Sequence, residues 1–301
     1  MSLLVTGTVG IDTVITPQGR ADDVLGGSAV YFTLAAAAFT PVRLVAVVGD
    51  DFPDTFRSAL TSDRIDLAGL ERRAGSKTFR WTGKYLENMN ERQTLRTDLN
   101  VIAEAPPVIP DPFKDSTVVF LANTHPALQL GMRRQVPDAR LVVCDTMDLW
   151  INAERDALRE TLAAVDGVVI NDSEAVLLTG QSDVITAGRG VLKMGPKFAV
   201  IKKGAHGAVL VTADGVTAIP AFPSEAVKDP TGAGDSFAGG MLGYLAACES
   251  FDYAALRRAL VRATVVASFT IEDFSVRRLQ ALTRDELDGR VAEFTKMLTI
   301  D

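Results

Sequence analysis

Short apolar runs closed by Gly, Asp or Asn recur along the chain, at 3–7, 43–50, 116–123, 140–145, 166–172, 198–204 and 207–212. Runs of this length without polar alternation suit strands buried on both faces, as in a parallel sheet covered by helices. Segments of helical period lie between several of them: Ala29–Thr40, Ala153–Ala164, Ser173–Thr179 and Val184–Met194. This alternation predicts a doubly wound α/β layer, mostly parallel and flanked by helices, in a single domain over residues 1–301. The rhythm breaks between Gly75 and Val101, where aromatic and polar residues alternate as in antiparallel strands with one solvated face. Together with a second segment over about residues 12–25, it predicts a small β lid inserted within the domain; a surface hairpin without function is the alternative. Beyond Ala238 the chain reads as packing helices, the last opened by a capping box of Thr283 and Glu286.

Composition narrows the function classes. The 301 residues carry a net charge of −7 with no cluster of Lys and Arg interleaved with aromatics, which argues against a nucleic-acid partner. No apolar run approaches the ~20 residues that span a bilayer, and the N-terminus lacks the pattern of a secretory leader. A cytoplasmic protein is therefore expected, with Cys144 and Cys248 as buried, reduced thiols in an apolar strand and an apolar helix. His125 and His206 have no Cys or Glu at metal-ligand spacing, which argues against zinc.

The strongest chemical signal is Asp229-Pro-Thr-Gly-Ala-Gly-Asp-Ser-Phe-Ala-Gly-Gly240. Gly232, Ala233 and Gly234 keep the backbone free of bulk just before an apolar helix, where successive amides and the helix dipole form an anion pocket. Asp235 stands in its mouth, where a carboxylate can take a proton from an alcohol. On the residues alone, a tight turn with Asp235 as a helix cap is an equal alternative. The segment also resembles the second signature of the ribokinase/PfkB family of carbohydrate and nucleoside kinases, and the resemblance extends over nearly the whole chain. It implies a ribokinase-like fold, ATP as donor with Mg²⁺, and a sugar or nucleoside alcohol as acceptor. Asp235 is then the catalytic base, and Gly232, Ala233 and Gly234 form the anion hole.

Other positions follow from the same resemblance. Asp12, after Gly10-Ile11, matches an aspartate that binds substrate hydroxyls, and a carboxylate can accept two hydrogen bonds from a vicinal diol. Gly26 and Gly27 match a glycine pair that approaches the substrate and hinges the lid. Tyr31 stands where sugar-phosphorylating members usually carry a substrate-contacting asparagine, which puts the usual sugar specificity in doubt. Asn171 and Glu174 resemble a motif that organises phosphates and, through water, Mg²⁺; helix capping is their alternative reading. Lys202, Gly204 and Gly207 resemble the nucleotide-side loop, with Thr231 also on that side and His206 a surface side chain. Asp145 ends a strand where ligands bind in open α/β sheets, but no arginine follows it until Arg155. Asp229 and Thr231 match two positions of a monovalent-cation site, while its downstream glycine is absent from residues 269–276, so K⁺ activation stays open.

A ribose-bearing nucleoside fits a diol grip by Asp12 with Tyr31 or the lid aromatics Phe79, Trp81 and Tyr85 over a base; a free sugar or polyol fits as well. The family often dimerises through the lid. Two other classes stay open: a ligand sensor without turnover on a kinase scaffold, and a dinucleotide-dependent oxidoreductase suggested by Gly7 and Gly10 after the first strand.

Overall fold

The computed structural model describes residues 1–299. The chain opens with β1 (Leu3–Thr6), passes into β2 (Gly10–Thr16) and β3 (Gly19–Gly26), and returns through α1 (Ser28–Ala37) to β4 (Val42–Gly49). After α2 (Asp54–Ala59) come β5 (Ile65–Arg73), β6 (Phe79–Tyr85) and β7 (Arg92–Asp98). Strand and helix then alternate through β8 (Val118–Leu121), α3 (Pro126–Arg134), β9 (Leu141–Cys144), α4 (Asp148–Ala153) and α5 (Arg155–Ala163). The pattern continues with β10 (Gly167–Asn171), α6 (Asp172–Thr179), α7 (Val184–Leu192) and β11 (Phe198–Lys202). A hairpin of β12 (Ala208–Thr212) and β13 (Val216–Ile219) precedes α8 (Ala233–Cys248), α9 (Tyr253–Thr270), α10 (Arg277–Gln280) and α11 (Arg284–Leu298).

The large sheet has nine strands in the order β13-β12-β11-β10-β9-β8-β1-β4-β5. It is parallel from β5 to β11, and β12 and β13 run antiparallel. The apolar run at 207–212 thus belongs to an antiparallel edge, because the short turn after β11 leaves no room for a crossover. The central strands β1, β8 and β9 are buried at every residue. One face packs on α1, α8 and α9, with Phe32 stacked on Phe120 at 4.4 Å between ring centres. The other face packs on Ile151, Leu158, Leu162, Leu178 and Val191, from α4 to α7. Since β1 lies between β4 and β8, strand order reverses there, and such a reversal opens a ligand crevice at the carboxyl ends of the strands.

The second sheet has the order β3-β2-β6-β7. Its two hairpins are antiparallel, as the alternating pattern predicts, but β2 and β6 pair in parallel from Gly10–Phe79 to Ile15–Lys84. The reason is topological: β2 follows β1 and β6 follows β5, and both leave the carboxyl ends of parallel strands in the same direction. Val14, Ala21 and Tyr85 of this sheet pack with Phe274 and with Trp81 and Met89. Residues 92–97 of β7 are exposed.

One expectation changes. Cys144 is buried, but Cys248 is exposed because it falls in the last turn of α8, and both thiols are free. The turn from Gly7 to Gly10 leads from β1 into β2 and opens no helix, so the dinucleotide fingerprint lacks its anion-binding helix end. Among the described residues, no helix is long and apolar enough to cross a membrane.

Candidate active site

Asp12 lies within β2, opposite Val24 and Trp81, and its side chain turns back over Gly26. A Cβ on Gly26 would stand 1.9 Å from Asp12 Oδ2, so only glycine gives the carboxylate this seat. Gly27 has φ 100°, and its amide supports Asp12. Burial lifts the Asp12 carboxyl to about 7 against the pull of that amide, with the charges of Asp229 and Asp235 adding to the rise. Asp12 Oδ1 is buried without a hydrogen-bond partner, and so is the Tyr31 hydroxyl. Burial, then the Asp229 and Asp12 charges, holds the Tyr31 phenol well above its ordinary range, so it is a donor.

The Tyr31 ring lies directly beneath Gly232, where an added Cβ would fall 2.2 Å from its Cγ. Gly232 takes φ 74° and caps α8, so the turn requires glycine for conformation and for space. Ala233 N donates to Pro230 O at 3.2 Å and Ser236 N to Gly232 O at 2.8 Å. Of the amides expected to form an anion pocket, that of Ala233 is therefore engaged in the turn. Those of Gly232, Gly234 and Asp235 have no acceptor among the described residues and are the donors left for an anion. Burial, then the Asp145 charge, lifts the Asp235 carboxyl to about 7, while Lys202 and Arg92 hold it down.

The strand ends bring a second group alongside. Register sets Asn171 opposite Lys202 on β10 and β11. Lys202 Nζ lies 3.2 Å from Asp145 Oδ2, both side chains being largely buried, and a Cβ on Gly234 would stand 3.0 Å from the same nitrogen. Lys202 thus bridges the end of β9 and the glycine turn. Asp145, Glu174 and Asp235 raise its pKa, overcoming burial, so it stays charged. Asn171 Oδ1 accepts from Glu174 N and Glu174 Oε2 from Asn171 N, each at 2.8 Å. The helix-capping alternative is therefore realised as local structure. It does not exhaust Glu174, whose carboxyl is lifted to about 7 by burial and then by Asp145. Asp145 and Glu174 offer hard carboxylate oxygens that would suit Mg²⁺, an ion that asks for few protein ligands and keeps several waters. Among the described residues, no group of three or more His, Cys, Asp or Glu is placed to hold a metal by itself.

Gly204 (φ 53°) and Gly207 (φ 86°) shape the turn after β11. A Cβ on Gly207 would strike Ile219 O at 2.0 Å, so this glycine lets β13 close on the turn. Ala205 N reaches Asn90 Oδ1 between β6 and β7 at 3.4 Å, and His206 is exposed as expected. Asp229 Oδ1 accepts from Thr231 N at 2.8 Å and Oδ2 from Ser275 N at 3.1 Å, tying the glycine turn to the segment after α9. Thr231 Oγ1 donates to the Tyr85 hydroxyl at 3.3 Å.

Two residues join the site without a sequence signal. Buried Gln129 of α3 donates through Nε2 to Leu121 O, Ala122 O and Asp145 O at 3.0, 3.0 and 2.8 Å, clasping the ends of β8 and β9. Arg92, on the exposed edge strand β7, acts electrostatically on Asp145, Glu174 and Asp235. A polar residue on a helix and an arginine on an alternating strand read as ordinary surface positions.

Residues 12–281 match the pfkB family of carbohydrate kinases. A cytidine kinase from Thermococcus kodakarensis is 36% identical over 248 residues, covering 80% of this chain and 87% of its own. The fold matches that of aminoimidazole riboside kinase from Salmonella enterica, complexed with aminoimidazole riboside and an ATP analog. The TM-score is 0.78 over 97% of this chain and 100% of that one, at 20% identity. A nucleoside kinase from Burkholderia thailandensis in complex with inosine gives 0.78 over 98% and 99%, at 19% identity. The match runs from the β2 carboxylate past the glycine turn, and the chain belongs to the PfkB family as a sugar or nucleoside kinase of the ribokinase fold.

Proposed function

We propose that the protein transfers the γ-phosphoryl group of ATP to a primary alcohol of a nucleoside, with Asp235 as the base. One observation carries this reading: a carboxylate with a pKa near 7 stands beside the unpaired amides of Gly234 and Asp235. Phosphoryl transfer needs both, a base for the incoming hydroxyl and donors for the charge that develops on the phosphoryl oxygens.

Asp12 Oδ1 and the Tyr31 hydroxyl, both buried and unpaired, provide an acceptor and a donor for substrate hydroxyls. Asp235 takes the proton of the attacking hydroxyl as its oxygen bonds to phosphorus and the bond to the bridging oxygen of ADP breaks. Lys202, held by Asp145 under Gly234, keeps a fixed positive charge beside the turn. Glu174 and Asp145 would hold a Mg²⁺ ion through its waters, and the ion would supply further neutralisation of the phosphates. The small sheet acts as a lid that keeps water from competing for the phosphoryl group. A nucleoside acceptor is favoured because the relative from Thermococcus kodakarensis is named a cytidine kinase and a riboside offers Asp12 a diol.

Potassium receives no step. Both Asp229 oxygens accept backbone amides, Ile271 O accepts from Lys228 N and Asp229 N, and Ser275 Oγ donates to Leu25 O. Each Asp229 oxygen accepts one amide and keeps a lone pair, so these contacts do not bear against a monovalent cation, and equal rates in sodium and potassium buffers would count against one.

The test is acceptor-dependent ATP consumption with Mg²⁺ across nucleosides, pentoses, hexoses and polyols. Asp235→Asn is expected to lower kcat by about 10²–10⁴-fold with the fold intact. Near wild-type turnover in that variant removes Asp235 from the role.

A further inference from the structure

The carboxylates Asp12, Asp145, Glu174 and Asp235 act on one another across the site, and a polyphosphate must enter among them. The protein sets two cations against this charge, Lys202 and Arg92. Lys202 is already paired with Asp145. Arg155, the first arginine after Asp145, is turned away, donating through Nη2 to Leu178 O at 2.9 Å. Arg92 makes no ion pair among the described residues, although arginines elsewhere on the same sheet do: Arg20 with Asp22, Arg80 with Asp23, and Arg96 with Asp98.

Its placement is built rather than incidental. Arg92 lies opposite Tyr85 in the β6–β7 ladder, and the Tyr85 hydroxyl is bonded to Thr231 at the start of the glycine turn. Beyond Tyr85 the connection is held to the nucleotide-side loop through Asn90 and Ala205. The guanidinium lies over the Trp81 ring at 5.7 Å from its centre and interacts with the Tyr85 hydroxyl, contacts that orient the side chain while engaging only part of its five N–H donors.

We propose that Arg92 is a catalytic residue of this kinase, its guanidinium binding the transferring phosphoryl group when the small sheet is closed. The role rests on the phosphoryl transfer proposed above. As the bond from phosphorus to the ADP oxygen breaks and the bond to the acceptor oxygen forms, charge spreads over the phosphoryl oxygens and onto the leaving oxygen. A planar two-pronged donor matches that geometry, and an ammonium does not. Because the cation rides on the sheet that also carries Asp12, the charge needed for transfer is complete only when acceptor-side and phosphate-side groups are assembled.

Arg92→Ala and Arg92→Lys, on an exposed strand, are compared with wild type for kcat, for the KM of the acceptor found in the panel, and for ADP affinity by calorimetry. The expected result for Arg92→Ala is a loss in kcat of about 10²-fold or more with ADP affinity nearly unchanged. Added guanidinium ion should restore part of the lost turnover, and Arg92→Lys should recover little. A kcat near wild type in Arg92→Ala overturns the role of Arg92 and leaves the kinase reaction standing. A raised acceptor KM alone, or a loss that guanidinium does not restore, assigns Arg92 to closure or structure and overturns the proposal as well. Absence of acceptor-dependent turnover in the wild type removes the kinase reaction itself, and the role of Arg92 with it.

Discussion

Asp235 owes its pKa of about 7 first to burial and then to Asp145, opposed by Lys202 and Arg92. A base must be ionised to act, so kcat/KM is expected to rise with pH through about 7 and level off above it. Because Asp145, Glu174 and Lys202 titrate in one another's field, the limb reports the group as a whole. Asp145→Asn removes a charge that raises the limb, and should move it to lower pH while lowering the rate. A limb that stays in place or moves up in that variant would show that the field at Asp235 comes from elsewhere. Residues whose role is fixed by their immediate neighbours in sequence were legible beforehand. Gly232 needs a positive φ one residue before a helix, and Asn171 with Glu174 makes a capping box across four positions. Of the expected donors only Ala233 is engaged, because its amide closes the turn onto Pro230 O while that of Asp235 is free beside those of Gly232 and Gly234, a detail of the path that residue types do not encode.

Helix α3 illustrates what pattern reading misses at the scale of elements. It packs against the sheet from the face opposite α1 and α8, yet Gln129 reaches the carbonyls of Leu121, Ala122 and Asp145 at the edge where chemistry is proposed. Gln129→Leu would leave buried carbonyls without their donor, at a cost of about 1–3 kcal/mol. Thermal unfolding should show a lower Tm, with activity falling further as Asp145 loses its fixed peptide; an unchanged Tm would mean that water replaces the amide. The strands themselves were legible, since short apolar runs closed by Gly, Asp or Asn are too brief for buried helices. The parallel pairing of β2 with β6 was not, because it follows from where β1 and β5 lie in the large sheet rather than from either hairpin. Arg92 escaped notice for the same reason: its significance comes from that long-range pairing.

Over the whole molecule, three carboxyls held near 7, those of Asp12, Glu174 and Asp235, link folding to protons. Each binds its proton more tightly in the folded chain than in the unfolded one. Their stabilising effect is therefore complete below the unfolded value of about 4, falls as pH rises through about 7, and is lost above it. Groups with lowered pKa, such as Glu286 at about 2, complete their titration below that window. The ligand-free protein should accordingly have a higher Tm at about pH 5.5 than at about pH 8, and Asp235→Asn should narrow the gap. A Tm that rises with pH over this range would mean that these carboxyls are ionised at little cost.

Asp12 belongs to the small sheet, whereas Asp235, Lys202 and Glu174 belong to the large sheet and its helices. On the proposed reading, the choice of acceptor and most of the handling of phosphate are inherited on separate pieces of chain, with Arg92 at the start of β7 as the phosphate-binding group carried by the small sheet. Substitutions along β2, β3 and β6 can then redirect the enzyme to a new alcohol while the phosphate machinery stays as it is. A lineage built this way can diversify its substrates without reinventing its reaction.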